Sequence, residues 1–96
     1  MLFMVIEDFK DGAVGQIGER FRQKGRMLPP DVTYQASWVD PATSRCWQIM
    51  EASDRKSLDP WIAEWADLID FEAVPVQTSA EFWAKILPSL LSPHAD

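Results

Sequence analysis

The segment VTYQASWVDPATSRCWQIMEA, residues 32–52, decides the fold because it holds two strand-like runs around one turn. Residues 32–39 and 45–52 are rich in β-branched and aromatic residues, which favour strands. Between them, residues 40–44 read Asp-Pro-Ala-Thr-Ser, a composition typical of turns. The segment therefore predicts an antiparallel β-hairpin in the middle of the chain.

The turn also predicts a register, in which Trp38 lies opposite Trp47. We prefer this register because it keeps apolar residues together and makes a cross-strand aromatic pair. The same register pairs Val39 with Cys46, Ser37 with Gln48, Ala36 with Ile49, and Gln35 with Met50. We expect helices to cover the face made by Tyr34, Ala36, Trp38, Trp47 and Ile49, and the other face to be open: Thr33, Gln35, Ser37, Cys46, Gln48 and Met50.

The hairpin is flanked by segments that complete a β-α-β-β-α-β order. Residues 2–9 and 71–77 read as strands, and Pro75 indicates that the second of these lies at an edge of the sheet or ends there. Residues 13–28, with Asp11 as N-cap, and residues 53–69 have helical periodicity. A capping box at 78–81 opens a C-terminal helix that Pro88 ends or bends. This order predicts an α+β, ferredoxin-like domain over residues 1–88, with a four-stranded antiparallel sheet, helices on one face, and a tail over 89–96.

Charge and composition argue against several classes of function. The net charge of −6 disfavours binding to nucleic acid or to an anionic membrane surface. The apolar start, residues 1–9, lacks a basic segment and is too short for a signal peptide or a membrane span, so we expect a cytoplasmic protein. One cysteine and one histidine give no metal-ligand spacing, and we expect neither a metal nor a cofactor.

Three groups of residues could take part in catalysis or ligand binding. For each of them we favour a structural role or simple solvent exposure. Cys46 could be a nucleophile, but a buried structural cysteine is favoured. Gly12, Gly15 and Gly18 have the spacing G-x-x-G-x-x-G rather than that of a dinucleotide loop, so close helix packing, extending to Gly25, is favoured. Three carboxylates lie near strand ends, where ion pairs or solvent exposure are favoured over proton transfer: Glu7, Glu51 and Glu72.

Residues 20–26, Arg-Phe-Arg-Gln-Lys-Gly-Arg, form the one basic cluster. A solvated helix face is favoured over an anion site, although Arg26 adjoins the exit from the helix, where the mouth of a barrel would lie. The half-apolar open face predicts a homodimer in which two sheets pack face to face. We expect a small-molecule ligand between the sheet and its partner, lined by Gln48, Ser37, Gln35, Cys46, Tyr34 and Arg26.

The strings MLFMVIEDFKDG, ERFRQKGRMLP, SWVDPATSRCWQIME and WIAEWADLIDFEAVPV resemble an uncharacterised bacterial domain-of-unknown-function family of about 90 residues. More distantly, the chain is similar to the dimeric α/β-barrel superfamily, which includes small monooxygenases and muconolactone-isomerase-like enzymes. That similarity implies the fold and the dimer, and it carries over no catalytic residue.

Three functions remain open at this point. The first is a small dimeric protein that binds a hydrophobic ligand. The second, implied by the distant resemblance, is a cofactor-free monooxygenase- or isomerase-like enzyme acting on a small aromatic or hydrophobic acid. The third is a non-catalytic dimeric interaction module whose open sheet face is simply its interface.

Overall fold

A computed structural model describes residues 1–91 of the chain, and this part forms four strands and three α-helices. The strands are β1 (Leu2–Phe9), β2 (Thr33–Asp40), β3 (Arg45–Glu51) and β4 (Ile69–Val76). The helices are α1 (Val14–Lys24), α2 (Asp59–Trp65) and α3 (Ser79–Leu91), and a 3-10 turn, Arg55–Leu58, leads into α2.

The strands form one antiparallel sheet in the order β2-β3-β1-β4. The β1 and β3 strands are central, and β4 is an edge strand, which is where Pro75 was expected. Residues of α2 pack with one face of the sheet to form the core. The predicted element order and the four-stranded antiparallel sheet are confirmed, and the α+β arrangement is compatible with a ferredoxin-like fold.

The predicted hairpin register is confirmed from Val39–Cys46 through Ala36–Ile49, including the Trp38–Trp47 pair. It differs at the start of β2, where Tyr34 rather than Gln35 lies opposite Met50. A bulge between Tyr34 and Ala36 causes the difference. Because a bulge inserts one residue, it moves Tyr34 to the face that also carries Ser37.

The prediction of which face the helices cover is wrong. Cys46, Gln48 and Met50 are buried on the helix-covered face, whereas Trp47 and Ile49 are only partly buried on the other. Both sets of side chains in β3 contain apolar residues, so alternation determines the pairing of the strands without determining which face is inside. A glutamine can be buried if it finds a hydrogen-bond partner, and Gln48 has one in the core.

The centre of the core is aromatic and aliphatic. The ring of Trp61 meets that of Phe71 edge-on, with centroids 5.4 Å apart. The indole Nε1 of Trp65 donates to the carbonyl oxygen of Arg26 at 3.0 Å, which ties α2 to the loop after α1. The largest fully buried side chains are Trp61, Phe3, Met50, Leu58 and Val5.

The α1 helix packs less closely than its sequence predicts. It begins at Val14 after Ala13, without a side-chain cap, so Asp11 is not the N-cap. A Cβ atom added to Gly18 would meet nothing within 4 Å, and the same holds for Gly25, so close packing does not explain these glycines. Gly25 instead ends the helix at a φ of 66°, a conformation that favours glycine.

The α3 helix projects from the end of β4. Its predicted capping box is confirmed, since the Glu81 N–H donates to Thr78 Oγ1 at 3.0 Å and the Thr78 N–H donates back to Glu81 Oε1 at 3.3 Å. The helix continues through Pro88 to Leu91; residues 92–96 of the predicted tail lie outside the described residues. The radius of gyration of 17.3 Å exceeds the roughly 13 Å of a compact chain of about 100 residues. Four large apolar side chains of α3 are exposed: Phe82, Trp83, Leu87 and Leu90.

No helix in residues 1–91 has the length and apolar character needed to cross a membrane.

Candidate functional site

A cavity of about 180 Å³ lies between the sheet and the helices that cover it. Two exposed side chains lie at its rim, Phe21 of α1 (46% exposed) and Val39 of β2 (55% exposed). Strands β1 and β3 supply its polar lining: Glu7, Cys46 and Gln48. Its apolar walls come from both helices and from β4: Ile17, Trp61, Trp65 and Ile69. We call this space the inner cavity.

Glu7 and Gln48 form a hydrogen-bonded pair in the lining of the inner cavity. Gln48 Nε2 donates to Glu7 Oε2, and the two residues are 7% and 4% exposed. Phe3, Val5 and Glu7 occupy every second position of β1 and therefore share one face of the sheet. The strand thus places the carboxyl group of Glu7 on the buried face. The pair thus puts an ionisable group where apolar walls surround it.

Burial raises the pKa of Glu7 from 4.5 to about 7, because water cannot solvate the charged carboxylate. The hydrogen bond from Gln48 and the positive charge of Arg26 act in the opposite direction but are smaller. At neutral pH both protonation states of Glu7 are therefore populated, which is the condition that proton exchange with a ligand requires.

The second polar atom of the Gln48 side-chain amide is its oxygen, Oε1. Gln48 Oε1 is buried and has no hydrogen-bond partner among the described residues. Buried polar atoms are nearly always paired, so an unpaired one beside a cavity calls for an explanation. A ligand group in the inner cavity would provide the missing partner.

Cys46 lines the same cavity but is poorly suited to nucleophilic attack. Burial, followed by the nearby charge of Glu7, raises the pKa of its thiol to about 11, against a smaller lowering by Arg26. The reactive thiolate is therefore scarce at neutral pH. These properties support the interpretation of Cys46 as a structural cysteine.

Arg26 closes one side of the cavity together with β2. Its guanidinium carbon lies 3.5 Å from the centre of the Tyr34 ring and 5.2 Å from that of Phe21. The Tyr34 hydroxyl and Ser37 Oγ are hydrogen-bonded at 2.8 Å. Through these contacts Arg26 brings a positive charge to the cavity, held in place by stacking on an aromatic ring.

Two other basic residues of the cluster, Arg20 and Arg22, form ion pairs. Arg20 Nη2 lies 2.7 Å from Asp67 Oδ2, and Arg22 Nη2 donates to Glu19 Oε2 one turn back along α1. The exposed Arg22–Glu19 pair agrees with the favoured interpretation of a solvated helix face. Arg20 differs, because it is half-buried and its guanidinium carbon lies 5.4 Å from the centre of the Trp65 ring of α2. Arg26 is the basic residue of the cluster that lines the inner cavity.

Four of the six residues predicted to bind a ligand line the inner cavity: Gln48, Ser37, Cys46 and Arg26. Tyr34 contacts two of these, Arg26 and Ser37. Gln35 is exposed at the bulge and does not line the cavity. The expected location on the open face is wrong, because these residues lie between the sheet and its own helices.

From the sequence, Glu7 is considered for proton transfer, but solvent exposure or an ion pair is favoured. For Glu7 that expectation is wrong. Glu51 fits it, with Oε2 2.9 Å from the amino group of Met1, and Glu72 is exposed. Glu7 differs because it lies on the buried side of β1 with Phe3 and Val5. The useful signal would have been this alternation, read together with the pairing of β1 and β3.

Residues 1–90 match a family model described as a domain of unknown function, DUF3303. The chain belongs to this family. Membership in an uncharacterised family of this size, predicted from the sequence, is thereby confirmed. No curated protein and no solved structure matches this DUF3303 chain. A bacterial origin and the distant similarity to the dimeric α/β barrels stay predictions.

The sheet face away from the helices, which we now call the open face, is apolar in its middle. Its apolar side chains are Met4, Ile6, Ala36, Trp38, Trp47, Ile49 and Val74, and Glu72 of β4 lies on the same face opposite Ile6. Trp38 is 60% exposed and lies opposite Trp47. A charged row crosses one end of this face, where Arg45 Nε lies 2.8 Å from Asp8 Oδ1.

A broader concavity of about 830 Å³ lies between the first turn of α3 and the end of the sheet near Met1 and Glu51. It contains no buried titratable side chain, so we place the candidate chemistry at the inner cavity instead. Within residues 1–91, no three histidine, cysteine, aspartate or glutamate side chains are grouped so as to hold a metal ion.

Proposed function

We propose that this DUF3303 protein binds a small hydrophobic molecule in the inner cavity. The observation that carries the proposal is Gln48 Oε1, a buried acceptor without a partner in a cavity whose other walls are largely apolar. Ligand sites generally combine apolar walls with a few polar groups that fix orientation. The inner cavity has this composition, with Glu7, Gln48, Arg26, Ser37 and Cys46 as its polar groups.

The volume of the cavity limits the size of the ligand. An apolar cavity of about 150 Å³ accommodates a molecule the size of benzene. The inner cavity, at about 180 Å³, is therefore suited to a single ring with a small substituent. Trp61 and Trp65 would contact the ring, and the Glu7–Gln48 pair would contact the substituent.

Native mass spectrometry of the protein purified from its own host tests this proposal. We expect a bound mass in the wild type, and less of it in Gln48→Leu, which removes both polar atoms of the amide. The matched control is Gln16→Leu, at an exposed position of α1 away from the inner cavity. Equal ligand content in Gln48→Leu and in the wild type, with both variants folded, would overturn the proposal.

We further propose that the open face pairs with a second copy of the chain. Its middle is apolar and its end is charged, which is the usual pattern of an interface core and rim. Because one patch must match itself, the association is a two-fold dimer. The exposed apolar side of α3 is a second surface that the partner would cover.

The size of the open face supports a dimer. Strands of eight residues at about 3.3 Å per residue, four across at about 4.8 Å, span roughly 500 Å². The side chains that protrude from the sheet and the apolar side of α3 add to this area. The sum approaches the roughly 800 Å² per partner of a standard interface.

Sedimentation at micromolar concentration tests the dimer. We expect the wild type to sediment as a dimer and Trp38→Glu to sediment as a monomer, because the new charge would be buried at the centre of the interface. The control is Ala63→Glu, on the exposed side of α2. A wild-type monomer, or a dimer in Trp38→Glu, would refute this arrangement.

The extent of the open face favours a second candidate function, a non-catalytic interaction module. In that case Trp38→Glu would abolish association and Gln48→Leu would change no bound ligand. A cofactor-free enzyme is the third candidate, and it is supported by the near-neutral pKa of Glu7.

A further inference from the structure

The amide of Gln48 can satisfy both of its ends with Glu7 only when Glu7 carries a proton. When Glu7 is ionised it only accepts, so Gln48 donates from Nε2 and Oε1 is left without a partner. When Glu7 carries a proton, its O–H can donate to Oε1 while its other oxygen accepts from Nε2, so the acid and the amide pair at both ends. Rotation about this last side-chain torsion is soft, so both arrangements are accessible.

Whether Oε1 has a partner therefore depends on the proton of Glu7. With Glu7 ionised, Oε1 has no partner within residues 1–91, and a ligand that donates a hydrogen bond supplies one. With Glu7 protonated, Oε1 can pair with the carboxyl group itself, so a donating ligand gains less. A hydroxyl group can donate to Oε1, whereas an ether oxygen can only accept.

We infer that the Glu7–Gln48 pair is a hydroxyl-binding site that takes a small aromatic alcohol and couples its binding to the protonation of Glu7. This inference rests on the proposed ligand site and adds the chemical class of the ligand. The ring lies among the apolar walls of the inner cavity and its O–H group meets the pair. A hydrogen bond to an ionised carboxylate is stronger than one between neutral groups, so the ionised pair prefers the donor.

The surroundings of Glu7 leave it as the group that titrates near neutral pH. Among the residues lining the inner cavity, the other charged or titratable ones are Cys46 from β3 and Arg26 from the loop after α1. The thiol of Cys46 has a pKa of about 11, and Arg26 contributes a fixed positive charge. Helices α1 and α2 and strand β4 contribute apolar side chains: Ile17, Phe21, Trp61, Trp65 and Ile69.

Calorimetric titration with phenol and with anisole tests the inference. The two probes have similar shapes, but phenol can donate a hydrogen bond and anisole, its methyl ether, can only accept one. We expect the affinity for phenol to rise between pH 5.5 and pH 8.5, and the affinity for anisole not to rise. The ratio of the two affinities should rise by about tenfold, and changes common to both probes cancel in it.

The variant Glu7→Gln removes the titration while keeping the shape of the side chain, so its ratio should not depend on pH. A ratio that is flat in the wild type, or that rises equally in Glu7→Gln, would overturn the inference and leave the ligand site standing. Failure of both probes to bind the folded wild type would overturn the ligand site as well. Urea unfolding of Glu7→Gln establishes that the variant is folded.

Discussion

Replacing Glu7 by glutamine should stabilise the protein at alkaline pH and change its stability little at pH 4.5. In the folded state, burial raises the pKa of Glu7 from 4.5 to about 7. The folded protein therefore holds this proton more tightly than the unfolded chain does. The stability that the group contributes is complete below pH 4.5 and is lost as the pH rises through 7.

The size of the effect follows from the two pKa values. At about 1.4 kcal/mol per pH unit, a rise from 4.5 to about 7 corresponds to a loss of about 3 kcal/mol above pH 8. The glutamine variant has no proton to lose, so the difference between the two proteins should grow to about 2–3 kcal/mol in favour of Glu7→Gln. At pH 5.5 the difference should be about 1 kcal/mol.

Urea unfolding at fixed protein concentration, from pH 4.5 to pH 8.5, measures this difference. Fixed concentration matters because association would make the apparent stability depend on it. The control is Gln16→Leu, at an exposed position of α1 without an ionisable group, whose difference from the wild type should not change with pH. A difference for Glu7→Gln that does not change with pH, or a variant less stable than the wild type at pH 8.5, would refute the reasoning.

Three further predictions concern the scaffold and one concerns the thiol. Thermal or urea unfolding should show Gly18→Ala more stable than the wild type by about 0.5–1 kcal/mol, since the helical position has open space around it. The same measurement should show Gly25→Ala less stable by about 1–3 kcal/mol, because its φ is positive, and a stabilised variant would contradict the helix end described. A colorimetric thiol reagent should react with Cys46 only after unfolding; rapid labelling of the native protein at pH 8 would contradict its burial and raised pKa. Leu58→Ala should lower the free energy of unfolding by about 2–5 kcal/mol, and a loss below about 1 kcal/mol would show that Leu58 is not central to the core.

The sequence predicted the order of elements and the central hairpin because these depend on local patterns. Alternation and turn residues located the pairing of Trp38 with Trp47, and the capping box located the start of α3. The bulge beside Gln35 was not predictable in the same way, since no glycine or proline marks it. It results from how β2 meets its neighbour, which a local pattern does not contain.

The inner face of the sheet was misjudged because the more apolar side of the hairpin was expected to face the helices, whereas the side with Cys46, Gln48 and Met50 is the buried one. From the hairpin alone an exposed Gln48 was expected, because a buried amide needs a hydrogen-bond partner. That partner, Glu7, lies 41 residues away in the sequence. Burial of Glu7 and Gln48 is a joint property of β1 and β3, and neither strand reveals it alone.

The most direct test of the central claim is a titration of the isotope-labelled protein with phenol, following the side-chain amide resonances of Gln48 by NMR. We expect these resonances to shift and saturate as phenol is added, while those of the exposed amide of Gln16 stay in place. If the Gln48 amide does not respond while the protein remains folded, the inner cavity is not the ligand site.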